Sequence, residues 1–380
     1  MGTPERSCPF EDWWWAAHPH IPRENLFFAL ARLIAFVVCE MGYAAAWRER
    51  MKTHRAFVSV LMFVTACSLS RTPASALESI VIAYPTTSSQ FTPLWFTRDV
   101  GLYEKYGLDA KLVFIQGGSV LLQAMVAGQA QASQNGVAET ATAILRGGDV
   151  RILGVTAKIF PYSLIVAKNI KSAKDLVGGR VAINRVGDVS AYGSVLALRK
   201  LGLNPERDVT MLQVGGSPQR LAALQSGSVQ AAAMDFMSGL RLAKLGFPVL
   251  VQLNLNYPYL GPVLSGKFLR ESPALAEAFI KSYVEGIARF KRNREEGVKA
   301  LARYMKSSEM DVLNKAYDFI ANDFYAENLE PDAKAFQDLM DEISEREPLA
   351  KKATIAQVFD LTIARKLEKE GFFKNVFKKP

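Results

Sequence analysis

One stretch of this chain is written twice, and that duplication limits the fold more than any other feature. Tyr103–Ala132 reads YEKYGLDAKLVFIQGGSVLLQAMVAGQAQA, and Leu198–Ala231 reads LRKLGLNPERDVTMLQVGGSPQRLAALQSGSVQA. Each copy has a Gly-Leu pair ending a helix, a Val-containing strand, a Gly-Gly-Ser turn, a helix stopped by glycine and a second short strand. The matching glycines lie 95 residues apart at the start (Gly107 and Gly202) and 99 apart at the end (Gly128 and Gly227). A period near a hundred residues is too long for a solenoid, so it predicts two similar α/β lobes. Ligands of two-lobed proteins bind in the cleft between the lobes.

The 380 residues are 49% hydrophobic and 22% charged, an ordinary globular composition long enough for two domains. No run of about 18 uncharged apolar residues occurs, which excludes a polytopic membrane protein. A second beginning lies inside the chain. Met51–Arg55 is a charged n-region, and Ala56–Ala66 (AFVSVLMFVTA) is an apolar core of signal-peptide length. Two cleavage patterns follow and both stay open. Val64-Thr65-Ala66-Cys67 has lipobox form, with Cys67 as the lipidated residue, and Ala74-Ser75-Ala76 fits ordinary signal peptidase. Residues 1–50, with three successive tryptophans at Trp13–Trp15, do not read as a domain and are taken as a non-native or disordered extension. The expected organisation is therefore a signal peptide over 51–76, lobe one over 77–164 plus 258–380, and lobe two over 168–257.

All three cysteines (Cys8, Cys39, Cys67) and all three histidines (His18, His20, His54) precede residue 77. The exported body would have no disulfide, cysteine nucleophile, imidazole base, or imidazole or thiolate metal site. No cofactor and no catalytic residue are expected. The formal net charge of +9 is concentrated at the end of the chain: residues 351–380 hold eight basic and three acidic side chains. The two-lobed body is close to neutral, and the basic tail reads as a solvated helix face.

Alternation of strand and helix predicts mostly parallel sheets. Ile80–Tyr84, Lys111–Gln116, Ala130–Ser133 and Arg151–Ala157 are expected strands of lobe one. Ser163–Val166 reads as the strand crossing to lobe two, and Leu260–Ser265 as the return crossing, so the two form a hinge. From Ser272 onward the text is helical, with candidates near 273–292, 295–306, 309–326, 332–345 and 352–370.

In such sheets ligands sit beyond the carboxyl ends of the strands. Four loops meet that rule. The first is Thr86–Phe91, with Thr87, Ser88, Ser89 and Gln90 as hydrogen-bonding side chains. The second is the expected polar turn Gln134-Asn135-Gly136, and the third is Gly187-Asp188-Val189-Ser190. The fourth, after Met234, offers Asp235 and Phe236. The Gly-Gly-Ser turns resemble neither a Walker loop nor GxGxxG. Ser119 is their better contact and is expected to cap its helix. Trp95, Phe91, Tyr192 and Phe236 are aromatic candidates for the cleft wall. Asp188 has two readings: a helix cap, or a cleft carboxylate that repels a sulfonate and favours an amine or a hydrogen-bond-donating ring.

Three segments together, GLYEKYGLDAKLVFIQGGSVLLQAMVAGQAQASQNG, KSAKDLVGGRVAIN and LAALQSGSVQAAAMD, resemble the periplasmic solute-binding proteins of ABC transporters. The group is the NMT1/THI5-like one, which holds nitrate, sulfonate, taurine and thiamine-pyrimidine binders. The likeness covers roughly 78–345. It implies a Venus-flytrap fold of the second type and capture of a small polar organic ligand between the lobes. It also implies a monomer that delivers its ligand to a membrane permease with its ATPase, in the periplasm, soluble or anchored through Cys67. Nucleic acid is not an expected partner. A subunit feeding a sensor is the alternative. A thiamine-pyrimidine synthase-like enzyme is disfavoured because the body lacks histidine and cysteine.

Overall fold

The computed structural model describes residues 76–378. The expected signal peptide, the expected lipidation site at Cys67 and the expected 1–50 extension lie outside the described residues, apart from Ala76. Two sheets organise the chain. The first contains β1 (Glu78–Tyr84), β2 (Leu108–Phe114), β3 (Ala132–Gly136), β4 (Val150–Ile152), β5 (Ala157–Phe160) and β11 (Leu255–Ser265). Their order is β2-β1-β3-β11-β4, with β5 also on β11. The second sheet contains β6 (Ser163–Val166), β7 (Arg180–Ile183), β8 (Thr210–Gln213), β9 (Ala231–Met234) and β10 (Val249–Gln252), in the order β10-β6-β9-β7-β8.

The duplication is visible in the pairing. β1 runs parallel to β2 and β3, and β7 parallel to β8 and β9. Ile82 is opposite Ala132 and Val181 is opposite Ala231, both 99 residues further on. Among the named strands, parallel pairing is confined to these three-stranded cores. The strands entering from the other lobe run against them: β11 is antiparallel to β3, and β6 to β9. The sheets are therefore mixed where mostly parallel ones were expected.

Helices cover the sheets. Lobe one has α1 (Thr92–Asp99), α2 (Leu102–Lys105), α3 (Gly118–Val126) and α4 (Val137–Leu145); lobe two has α5 (Val189–Lys200), α6 (Ser217–Gln225) and α7 (Phe236–Lys244). Gly107 and Gly202 stop the repeated helices with φ of +81° and +78°, the left-handed conformation that glycine adopts without a Cβ penalty. The helical C-terminal segment begins with α8 (Gly266–Glu271) and α9 (Pro273–Arg292), then α10 (Arg294–Tyr304) and α11 (Met310–Asp318). α9 packs on α1 and buries Phe279, Tyr283 and Phe290, with Phe290 edge-on to Phe96 of α1 at 5.6 Å.

Several boundaries depart from the sequence reading, each for a pairing reason. Gln134-Asn135-Gly136 is not a turn: β11 pairs with all of it, so the strand runs on and buries the three residues. The crossings lie at Pro161–Tyr162 and Leu253–Asn254, ahead of the expected positions, because Ser163–Val166 and Leu255–Ser265 are already paired strands. Asn254 carries the return with φ of +24°, a sign that asparagine tolerates better than most residues. The helix expected over 309–326 passes into a π-helical turn at Phe319–Phe324. After α12 (Ala333–Ser344), the helix expected over 352–370 is broken into α13 (Ile355–Val358), α14 (Thr362–Lys369) and α15 (Phe372–Phe377). There Phe359 bridges to Ile152, and the Asp360 N–H donates to the Ile152 carbonyl at 2.9 Å, drawing the backbone out of the helix.

Candidate functional site

The carboxyl ends of both sheets face each other, and the lobes are closed. Gln116 Nε2 donates to Asn184 Oδ1 and Ser119 Oγ to the Val186 carbonyl, both at 3.4 Å across the cleft. A Cβ on Gly136 would lie 2.5 Å from Val189 Cγ2 of the opposite lobe, so the approach there depends on glycine. Around the rim, Arg199 pairs with Glu345 at 2.6 Å, Arg241 with Glu309 at 3.1 Å and Lys244 with Asp311 at 2.7 Å. Phe236 stacks on Phe319 at 4.1 Å.

Between the closed lobes lies a cavity of about 740 Å³. Its walls come from α3 and α4 of lobe one, from the 186–189 loop and α5 of lobe two, and from α12. An aromatic cluster closes the hinge side. Phe160 lies 5.1 Å from Tyr257 and 5.0 Å from Tyr259, and Tyr192 lies 5.8 Å from Tyr257.

Of the residues named from the sequence, Ser119, Gly187, Asp188, Val189 and Tyr192 line this cavity. Ser119 is not the cap of α3; Gly117 holds that position. Asn135 is buried behind the wall, its Nδ2 reaching the Gly118 carbonyl at 3.4 Å and its Oδ1 unpartnered. The first loop divides. Thr87 is exposed, while Ser88, Ser89 and Gln90 are buried, with Ser88 Oγ donating to Gln90 Oε1 at 2.7 Å. They do not border the cavity. Phe91 and Trp95 belong to the core of lobe one.

Both acids named in lobe two cap helices. Asp188 Oδ1 accepts from the Ser190 and Ala191 N–H groups at 3.0 Å and from Ser190 Oγ at 2.7 Å. Asp235 accepts from the Ser238 N–H at 3.2 Å and from its Oγ at 2.9 Å. Backbone donors at a helix N-terminus satisfy these carboxylates without a ligand. The second Gly-Gly-Ser turn is likewise filled by the chain itself: Arg220, 2% exposed, donates to the Gly215 carbonyl at 2.9 Å and to Ser217 Oγ at 3.2 Å.

Sequence reasoning missed two acids on the cavity wall. Glu139, at the third position of α4, reaches back so that Oε1 accepts from the Gly136 N–H at 3.2 Å. Its Oε2 is buried without a partner. Burial pushes this carboxyl well above its ordinary range, the negative charge of Asp188 adds to the effect, and the Gly136 and Val189 backbone N–H groups offset part of it. Glu342, on α12, is pushed by burial up to about 7, with the Tyr192 hydroxyl and the Arg199 guanidinium pulling the other way. The Tyr192 and Tyr257 hydroxyls make no well-formed hydrogen bond. An acid in the first turn of a helix reads as a cap, and nothing local ties residue 342 to a cleft near residue 139.

A family model described as NMT1/THI5 like matches residues 88–297. The chain belongs to the NMT1/THI5-like family. No curated protein matches it. Solved structures share the fold. A protein from Bordetella bronchiseptica RB50 superposes with a TM-score of 0.67 at 20% identity, over 77% of this chain and 97% of that one. The alkanesulfonate-binding protein SsuA from Xanthomonas axonopodis pv. citri, bound to MOPS, gives 0.61 at 17% identity, over 77% and 98%. The periplasmic nitrate-binding protein NrtA from Synechocystis PCC 6803 gives 0.60 at 14% identity, over 80% and 91%. These place this NMT1/THI5-like chain in the two-lobed periplasmic-binding-protein fold. The desulfurization enzyme DSZB shares it too, with a TM-score of 0.57 at 15% identity over 77% and 99%.

Proposed function

We propose that this protein is the solute-binding component of an ABC importer, exported from the cytoplasm, which captures a small polar organic molecule between its lobes and passes it to a membrane permease. The observation that carries the reading is a cavity walled by both lobes and joined by two strand crossings, so that filling it and closing it are one event. The volume suits a small ligand, since such pockets run from roughly 300 to 1,000 Å³. Ser119, Gly187, Asp188, Val189 and Tyr192 are the proposed contacts retained from the sequence reading, and Glu139 and Glu342 join them. Ser88, Gln90, Asn135, Gly136, Ser190, Asp235 and Phe236 act one layer back, as supports of the closed cleft. The Met51–Ala66 segment, with its n-region and apolar core, supports export.

Holding without turnover is the reading that the residue inventory favours. Residues 77–380 contain neither cysteine nor histidine, which removes the commonest nucleophile–base pairs from a fold that also serves an enzyme. The test is a melting-temperature screen of the purified protein over sulfonates, nitrate, pyrimidines, aromatic acids and amines. A cognate solute raises the melting temperature by mass action and is recovered unchanged. Consumption of the bound solute contradicts the reading. Mass spectrometry of the N-terminus from cells decides between a lipidated Cys67 and a start at Leu77.

A further inference from the structure

Acids outnumber cations on the cavity wall. Five carboxylates border it: Glu139, Asp188, Glu342, Glu345 and Glu347. Three guanidinium groups border it as well, but two are already engaged. Arg146 pairs with Glu347 at 2.7 Å and Arg199 with Glu345 at 2.6 Å. Asp188 accepts from the first N–H groups of α5, which hold its charge in place. That leaves Glu139 and Glu342 facing Arg346, which forms no ion pair with either among the described residues. Glu139 is the more telling of the two. It is 8% exposed, borders the cavity, and has one oxygen with no donor. Buried polar atoms in folded proteins are almost always hydrogen-bonded, and a carboxyl buried this way ionises readily only beside a positive charge.

We infer that the cavity takes a small organic cation, a protonated or quaternary amine on an apolar or aromatic body, with Glu139 and Glu342 as its counter-charges. This rests on the solute-binding reading above and narrows its solute class. Phe160, Tyr192, Tyr257 and Tyr259 supply the rest of the site. Their ring faces attract a cation and their bodies bury the apolar part of an amine. The Tyr257 hydroxyl, which makes no well-formed hydrogen bond, remains available to a ligand group. At pH 8 an anion such as a sulfonate would meet the ionised Glu342 as a like charge, which is unfavourable in a half-buried site. The binding is non-covalent, so no bond changes and no co-reactant is needed.

The test is isothermal titration of the purified protein at pH 8. The probes are tyramine, choline and putrescine as cations, tyrosol as the neutral counterpart of tyramine, and ethanesulfonate and nitrate as anions. At least one cation binds, tyrosol binds tyramine's site at least tenfold more weakly than tyramine does, and the anions give no heat. Glu139→Gln weakens the bound cation roughly 10- to 100-fold, the range for losing a hydrogen bond to a charged group. The same variant melts no lower than the parent, which separates lost binding from lost folding. Glu342→Gln does the same more weakly. Equal affinity for tyrosol and tyramine overturns the inference, as does binding of ethanesulfonate, no response to Glu139→Gln, or binding of no cation. A protein that binds ethanesulfonate or tyrosol without consuming it still stands as a solute binder. Consumption of a bound probe would remove that reading as well.

Discussion

In the first lobe the helix after the third strand opens at Gly136, and the acid that caps it sits three residues inside, at Glu139. Ninety-nine residues on, the equivalent helix opens at Asp235, and the residue three inside is Ser238. The two copies thus keep opposite halves of a capping box. In lobe two the carboxylate is at the cap, and Ser238 uses both of its donors on it. In lobe one the cap has no side chain, the acid reaches back from the first turn, and only one of its oxygens is engaged. The same fold position therefore gives a stabilising acid in one lobe and an unsatisfied one in the other. A second difference runs parallel. The Gly-Gly-Ser turn of lobe two is filled by Arg220, while lobe one has Leu122 in that place, which borders the cavity. One turn is filled by an arginine of its own helix, and the other has in that place a leucine at the cavity wall.

The sharpest way to break this comparison is at the glycine cap. Gly136→Ala places a methyl group against Val189 of the other lobe, with Glu139 Oε1 at 2.9 Å on its own side. The lobes are then held apart, and affinity for the bound solute falls at least about tenfold because the closed state is depopulated. Solution scattering should show a larger radius of gyration, with the melting temperature little changed.

The next effect is on pH dependence. The Glu342 carboxyl sits at about 7 in the folded protein against an ordinary 4.5. The folded state binds the proton more tightly than the unfolded one, so the ionised acid costs stability as pH rises from about 4.5 through 7. Glu342→Gln removes that cost. The unliganded variant should match the parent near pH 4 and exceed it above pH 8, by on the order of 1–3 kcal/mol. Urea unfolding at the two pH values measures it, and a variant less stable at pH 8 would show that the charge is compensated within the protein.

Smaller still is the loss of a cap. Asp188→Ala removes the acceptor for the first N–H groups of α5 and should cost about 1 kcal/mol, or roughly 2–4 °C in melting temperature.

Much of this architecture could be read from the chain. The repeat predicted two lobes, and the pairing registers repeat at the same 99-residue offset. What escaped was set by partners distant in sequence. Gln134-Asn135-Gly136 has turn composition, yet β11, more than a hundred residues later, pairs with it and makes it a strand. Phe359 breaks a helical pattern because Ile152 offers it a bridge. The site was legible on its lobe-two side, where Gly187–Val189 follows a strand and opens a helix. The two acids on its wall, Glu139 and Glu342, were not. Glu139 has the local pattern of a cap, and Glu342 has that of an exposed helix position. Only the meeting of α4, α5 and α12 gives either of them a cavity to face.

The comparison between the two copies is tested most directly by pairing Glu139→Gln with Asp235→Ala, measuring cation affinity and unliganded melting temperature for both at pH 8. The account predicts opposite responses. Glu139→Gln should lose roughly 10- to 100-fold in affinity with no fall in melting temperature, and Asp235→Ala should melt lower by about 2–4 °C with affinity changed less than about threefold. Matching losses of stability in both variants, with affinity untouched in Glu139→Gln, would show that the two acids do the same structural work and contradict the account.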